Sequence, residues 1–164
     1  VYKRQVHVLV EKAEGYAINV PPKAKEVVGI RIDANARVAN RFQFIVGEGA
    51  ELEVQFYVTG SGDALTNVSY LNEYDVKEAG KVVVKKVNLL PEHVQHIEHR
   101  YTKLEEKADV EYINIEIGGS ENILNYYHDL VGQESRMVHD IAYLGNKEQK
   151  FDISMVMSLS LIHI

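Results

Sequence analysis

The stretch VGEGAELEV, residues 46–54, has near-copies at VKEAGKVVV (76–84), LEEKADVEY (104–112) and VGQESRMVH (131–139). Each reads apolar, any, Glu or Gln, any, small, charged, apolar, any, and then mostly apolar. The small residues Ala50, Gly80, Ala108 and Ser135 are spaced by 30, 28 and 27 residues. A weaker copy, VPPKAKEVV (20–28), sets Ala24 another 26 residues upstream and departs from the pattern at Pro22 and Glu26.

Between the small residues the chain alternates. Phe42, Phe44 and Val46 flank Gln43, and Leu52, Val54 and Phe56 flank Glu53 and Gln55, which is the period of a strand with one buried face. No helical i, i+3, i+4 spacing intervenes. A repeat of about 28 residues with two strand-like runs is one coil of a parallel β-helix, each coil burying its apolar face on its neighbours. The expected fold is therefore all-β. The small residue turns the corner, the charged residue after it (Glu51, Lys81, Asp109, Arg136) faces water, and the next apolar residue (Leu52, Val82, Val110, Met137) faces in. With coils about 4.8 Å apart, five make a rod section of roughly 24 Å. The outward row then alternates in sign, a solvated ladder of ion pairs of modest worth rather than the stacked carboxylates of a catalytic groove. In DVEYINIEIG (109–118), inward parity is read through Val110 and Tyr112 and then through Ile113, Ile115 and Ile117, which predicts a bend or bulge.

At 164 residues, 46% hydrophobic and 26% charged, the chain is sized for one domain. A net charge of −6 argues against nucleic acid or an anionic membrane as partner; the densest basic group is Lys81, Lys85 and Lys86. Cysteine is absent, so this chain alone supplies no disulfide, thiolate nucleophile or Cys-ligated metal, and a cytoplasmic location fits. No apolar run is long enough for a membrane span, and no N-terminal signal sequence is evident.

The stretch PEHVQHIEHR (91–100) carries His93, His96 and His99 among Glu92 and Glu98. It reads as a loop entering a strand, a connector between two repeat copies. On a strand His93 and His99 share a face roughly 20 Å apart while His96 points the other way, so the three cannot meet one ion. Exposed or stacking histidines are expected instead. His139 stands at an apolar position of the last repeat and reads as partly buried with a hydrogen-bond partner. His128 faces Asp129 only across a strand, a weak acid/base pair. GSGD (60–63) lacks the Gly-Lys-Ser/Thr ending of a phosphate-binding loop and reads as a turn. No residue is assigned a catalytic, cofactor-binding or metal-binding role.

The runs IVGEGAELEVQFYVTGSG (45–62), NLLPEHVQHI (88–97), IGGSENILNYYHDLVGQES (117–135) and YLGNKEQKFDISMVMS (143–158) resemble the SufB/SufD family of iron–sulfur cluster assembly scaffolds. The resemblance covers most of residues 20–158 and implies a right-handed parallel β-helix core. It also implies a complex with a SufC-like ABC ATPase and a SufB/SufD paralogue or second copy. On that complex a nascent iron–sulfur cluster is held transiently as cargo. The family's members are not conventional enzymes. After Ser158 the chain ends SLSLIHI, which departs from the family pattern, so residues 1–158 are read as a truncated β-helix core and 159–164 as a non-family tail. The proposed cluster ligands and the ATPase-docking helices of the family would lie beyond that point, and no cofactor is expected on this fragment. A β-helix cut mid-stack exposes a cross-section of its core, which predicts a homo-oligomer joined through the open end. The rival readings are a β-helix interaction module without an iron–sulfur role and a carbohydrate-active β-helix protein.

Overall fold

The computed structural model describes residues 4–10, 14–146 and 148–160, with residues 4–10 described as backbone alone. All regular structure among the described residues is strand. In chain order these are β1 (Arg4–Val10), β2 (Gly15–Val20), β3 (Lys25–Ala34), β4 (Val38–Val46), β5 (Glu51–Gly60) and β6 (Asn67–Val76). The series continues with β7 (Lys81–Asn88), β8 (Gln95–Leu104), β9 (Asp109–Glu116), β10 (Glu121–Leu130), β11 (Arg136–Tyr143) and β12 (Lys150–Leu159).

Odd strands form one 6-stranded sheet and even strands another, each in simple succession, so the chain winds between two facing sheets as a parallel β-helix. The expected register holds: Lys25, Glu51, Lys81, Asp109 and Arg136 stack as partners on successive odd strands. Lys25 pairs with Glu51 at 2.7 Å and Arg136 with Asp109 at 3.2 Å, at the exposed rim where such pairs contribute little each. Ala50, Gly80 and Ala108 are buried at the corners and GSGD lies at a turn, as the sequence indicates.

The corner has a component the repeat does not announce. The residue before each small one takes a left-handed backbone: Lys23, Gly49, Ala79, Lys107 and Glu134 have φ of 61°, 60°, 53°, 55° and 57°. Only one of them is glycine. The strain of about 1–2 kcal/mol at a non-glycine residue is opposed at three of the four by hydrogen bonds between corners, Lys23 N–H to Glu48 O, Ala79 N–H to Glu106 O and Lys107 N–H to Gln133 O, and Gly49 N–H makes the matching bond to Glu78 O.

Two expectations fail. The bulge in DVEYINIEIG is absent, since Val110, Tyr112, Asn114 and Glu116 all face in with unbroken parity while Ile113, Ile115 and Ile117 face out. PEHVQHIEHR is no mere connector: after a turn it becomes β8, a full strand of its coil, with His96, Glu98 and Arg100 pointing inward. Both errors have one cause. The inward positions of these strands turn from apolar to polar partway along, so apolar residues stop being a guide to direction there.

The core changes along the axis. In the earlier coils it is apolar, with Phe44 stacked on Tyr74 at 4.7 Å and Phe42 edge-on to Phe56 at 5.5 Å. Through β7–β10 the inward positions become Lys86, Asn88, His96, Glu98, Arg100, Asn114, Glu116 and Asn122, all essentially unexposed. In β11 and β12 inward-facing residues are less covered, and Tyr143, Met155, Met157 and Leu159 are exposed by 61%, 41%, 46% and 60%. β12 runs through Leu159, while residues 161–164 of the expected tail lie outside the described residues.

Candidate functional site

Strict alternation builds the polar interior. In β7, Val82 and Val84 fix the inward parity, which carries Lys86 and Asn88 inside; in β9, Val110 and Tyr112 do the same for Asn114 and Glu116. β8 faces them with His96, Glu98 and Arg100, and β10 with Asn122 and Tyr126.

Four charges sit at its centre. Lys86 Nζ lies 2.5 Å from Glu98 Oε2 and also pairs with the Glu116 carboxylate. Arg100 donates to Glu98 Oε1 from Nε at 3.1 Å and from Nη2 at 2.6 Å. Its guanidinium lies over the rings of Tyr112 and Tyr126, 4.2 and 4.5 Å from their centroids. Asn72 Nδ2 donates to Glu98 Oε1, and the Tyr126 hydroxyl donates to Glu98 Oε2 at 3.3 Å. Two cations thus face two carboxylates in a region closed to water. Burial favours the neutral form of the Glu98 carboxyl, but Arg100 and Lys86 overcome it and hold Glu98 well below the usual carboxylate range. Burial raises Glu116, against the opposing pull of Lys86.

His96 is the inward histidine of the three, and it is fully buried, so the expectation of exposed or stacking histidines fits only His93 and His99. Its Nδ1 lies 3.0 Å from Asn122 Oδ1, and its Nε2 lies 2.9 Å from the Tyr70 hydroxyl. Asn122 Oδ1 can only accept while Asn88 Nδ2, 3.1 Å from the same Nδ1, can only donate, so the two amides favour opposite tautomers of the ring. Asn88 Nδ2 also donates to Asn122 Oδ1 at 3.0 Å, which locks the amide orientation. Burial, aided by Lys86, lowers the His96 pKa to about 3, so the ring is neutral at physiological pH. His93 and His99 are exposed and His96 is buried; the opposite facing of His96 and His99 holds on β8, whereas His93 lies in the turn before the strand rather than on the strand face expected for it.

His139 is half-buried, with Nε2 3.3 Å from Asn114 Nδ2 and 3.5 Å from Arg100 Nη1, as its sequence position indicates. His128 is buried beside it with ring centroids 5.8 Å apart, while Asp129 faces out and accepts from Tyr101. Burial and Arg100 lower His128 to about 4 and His139 to about 3.

Chemically this is a charge-balanced, preorganised interior. Both central carboxylates are committed to cations, and among the described residues no group of three or more His, Cys, Asp or Glu is arranged to hold a metal ion. Sequence reasoning missed Lys86, Glu98, Arg100 and Glu116 as a set. The signal was available in the parity of β7 and β9, had polar residues been allowed inside.

No helix of the described residues is long and apolar enough to cross a membrane. No curated protein and no solved structure matches the chain. A family model does: the one described as SUF system FeS cluster assembly, SufBD core domain, matches residues 30–162.

Proposed function

The chain belongs to the SufBD core-domain family of the SUF iron–sulfur cluster assembly system, and from that premise we propose that it acts as a scaffold component of a SUF assembly complex rather than as a conventional enzyme. Its partners in this reading are a SufC-like ABC ATPase and a SufB/SufD paralogue or a second copy, in the cytoplasm, with the iron–sulfur cluster as transient cargo of the full-length complex. This chain itself holds no cofactor in this reading.

The observation that supports it is the last coil. β11 and β12 each have a sheet neighbour on one side among the described residues, and their inward side chains Tyr143, Met155, Met157 and Leu159 are exposed. Edge strands with apolar side chains invite another coil to stack on them. In this reading that coil comes from a second SufBD-type chain.

Two measurements test the proposal. The full-length protein should retain a SufC-like ATPase in a pull-down with purified components, whereas retention of an acidic oligosaccharide instead would favour a carbohydrate role. Light scattering of this chain at tens of micromolar should give at least a dimer mass, reduced by Met157→Asp. A monomer mass would sink self-association and leave the ATPase arm to judge the scaffold role.

A further inference from the structure

His128 on β10 and His139 on β11 meet across the core, their rings 5.8 Å apart and edge to face. His128 is 1% exposed, and neither of its ring nitrogens has a hydrogen-bond partner among the described residues. His139 Nδ1 is also unpartnered, while its Nε2 faces Asn114 Nδ2 at 3.3 Å and Arg100 Nη1 at 3.5 Å. Both of those groups can only donate, so Nε2 accepts and a proton there would be opposed from two sides.

The elements packed around the pair supply a cation but no available anion. β8 contributes Arg100 and Thr102, β9 contributes Tyr112, β10 contributes Tyr126, and the register partner of His128 on β12 is Met157. Thr102 and Tyr112 bond each other, and the Tyr126 hydroxyl donates to Glu98. Glu98 is held by Lys86 and Arg100, Glu116 by Lys86, and Asp129 faces out to Tyr101. Among the described residues, an imidazolium at either position would thus be buried near Arg100 with every carboxylate of its surroundings already engaged.

We propose that His128 and His139 form an acid-sensitive latch, through which mild acidification lets β11 and β12 come away as a unit while β3–β9 keep their pairing. The two rings are where β11 closes onto the even-numbered sheet. Closed, they exclude protons; opened, they reach water and bind them. The pKa values, lowered from 6.5 to about 4 for His128 and about 3 for His139, agree in sign: closure is complete at pH 7 and weakens as pH falls through 6.5. His96 takes no part, since its partners Tyr70, Asn88 and Asn122 lie on β6, β7 and β10. One consequence, that acid removes the surface offered to a second chain, rests on the scaffold reading; the latch does not.

Native-state amide exchange of this chain at pH 7 and pH 5, corrected for intrinsic exchange rates, tests the latch. The samples are kept at a concentration where light scattering gives the same mass at both pH values, so that self-association, which bears on the scaffold reading, does not enter. Amides of β11 and β12 should share an opening constant larger than that of β5–β7. It should rise from pH 7 to pH 5 by at least tenfold, and by up to about twentyfold for each histidine that regains a pKa of 6.5. His128→Leu/His139→Leu, which places apolar side chains at inward positions, should abolish the rise. His128→Leu alone should remove about half of it on a logarithmic scale, and His99→Gln, on the outer face, should leave it intact. His163, outside the described residues, is unchanged in every variant, so its titration cancels in the comparison. One opening constant for β5–β7 and β11–β12 alike, no rise at pH 5, or a rise that survives both leucines would overturn the proposal.

Discussion

Lys86 and Glu98 approach from opposite sheets to 2.5 Å, and neither side chain is exposed. Each lies on a strand whose inward parity was set by its neighbours, so the ion pair ties the two sheets together across the core. Lys86 also serves Glu116, so its loss strands Glu116 outright and leaves Glu98 to Arg100 as its one remaining cation.

Lys86→Met is accordingly expected to destabilise the fold by about 3–5 kcal/mol, the usual cost of leaving a buried charge unpaired. Adding Glu116→Gln should recover at least ~1 kcal/mol, because it removes one stranded charge. Urea denaturation of the two single variants and the double variant decides it; strict additivity would mean that the two residues are not coupled.

Acid should weaken the protein before its carboxylates titrate. His96 is held neutral in the fold with its pKa lowered from 6.5 to about 3, so below pH 6.5 the unfolded chain binds a proton that the native state refuses. Stability then rises with pH and is lost as pH falls from about 6.5 toward 3, by up to ~1.4 kcal/mol per pH unit for this group. His128 and His139 act in the same direction. Glu98, whose pKa is also depressed, adds a loss below pH 4.5, while Glu116, raised above 4.5, offsets part of the histidine loss above that pH. Urea midpoints at pH 7, 6 and 5 should fall steadily; a flat profile would mean that the histidines are not held neutral.

Two glycines should respond differently to alanine. Gly49 has φ +60° and nothing nearer its prospective Cβ than Lys23 Cγ at 3.7 Å, so Gly49→Ala should cost about 1 kcal/mol through backbone strain alone. Gly118→Ala forces a carbon against the Leu90 backbone and should cost distinctly more. Thermal melts of both variants provide the comparison, and equal losses would contradict the close approach of the coils.

The parity of β9 is open to a direct check. Ile115→Thr, on the outer face, should change stability by less than about 1 kcal/mol, whereas Asn114→Ala, inside, should cost more by removing the donor to the Tyr126 hydroxyl. The reverse order in denaturant melts would restore the bulge that the isoleucines of this segment suggest.

The sequence carried the coil and its corners because Ala50, Gly80 and Ala108 recur with a charged residue behind each of them, and only a stacked geometry makes use of that recurrence. It carried His139 for the same reason, as an odd residue in a repeated position. The polar interior was harder to read. Ile113, Ile115 and Ile117 are more apolar than Asn114 and Glu116, and any rule that sends apolar residues inward inverts that strand. What reverses it lies far away in sequence: Lys86, brought to Glu116 by the stacking of coils and to Glu98 across the core. The left-handed corner residues were illegible for another reason, since lysine, alanine and glutamate give no local sign of positive φ.

The change of the core along the axis has a consequence for the repeats themselves. Seen from outside, the coils look interchangeable. Inside, the Phe44–Tyr74 stack belongs among aromatic rings and Glu98 belongs between Lys86 and Arg100. Shuffling the coils would keep every corner and every outward charge yet set a carboxylate against a phenyl ring. Each coil therefore carries an address as well as a shape, and the order of the copies is as much a part of the fold as the copies are.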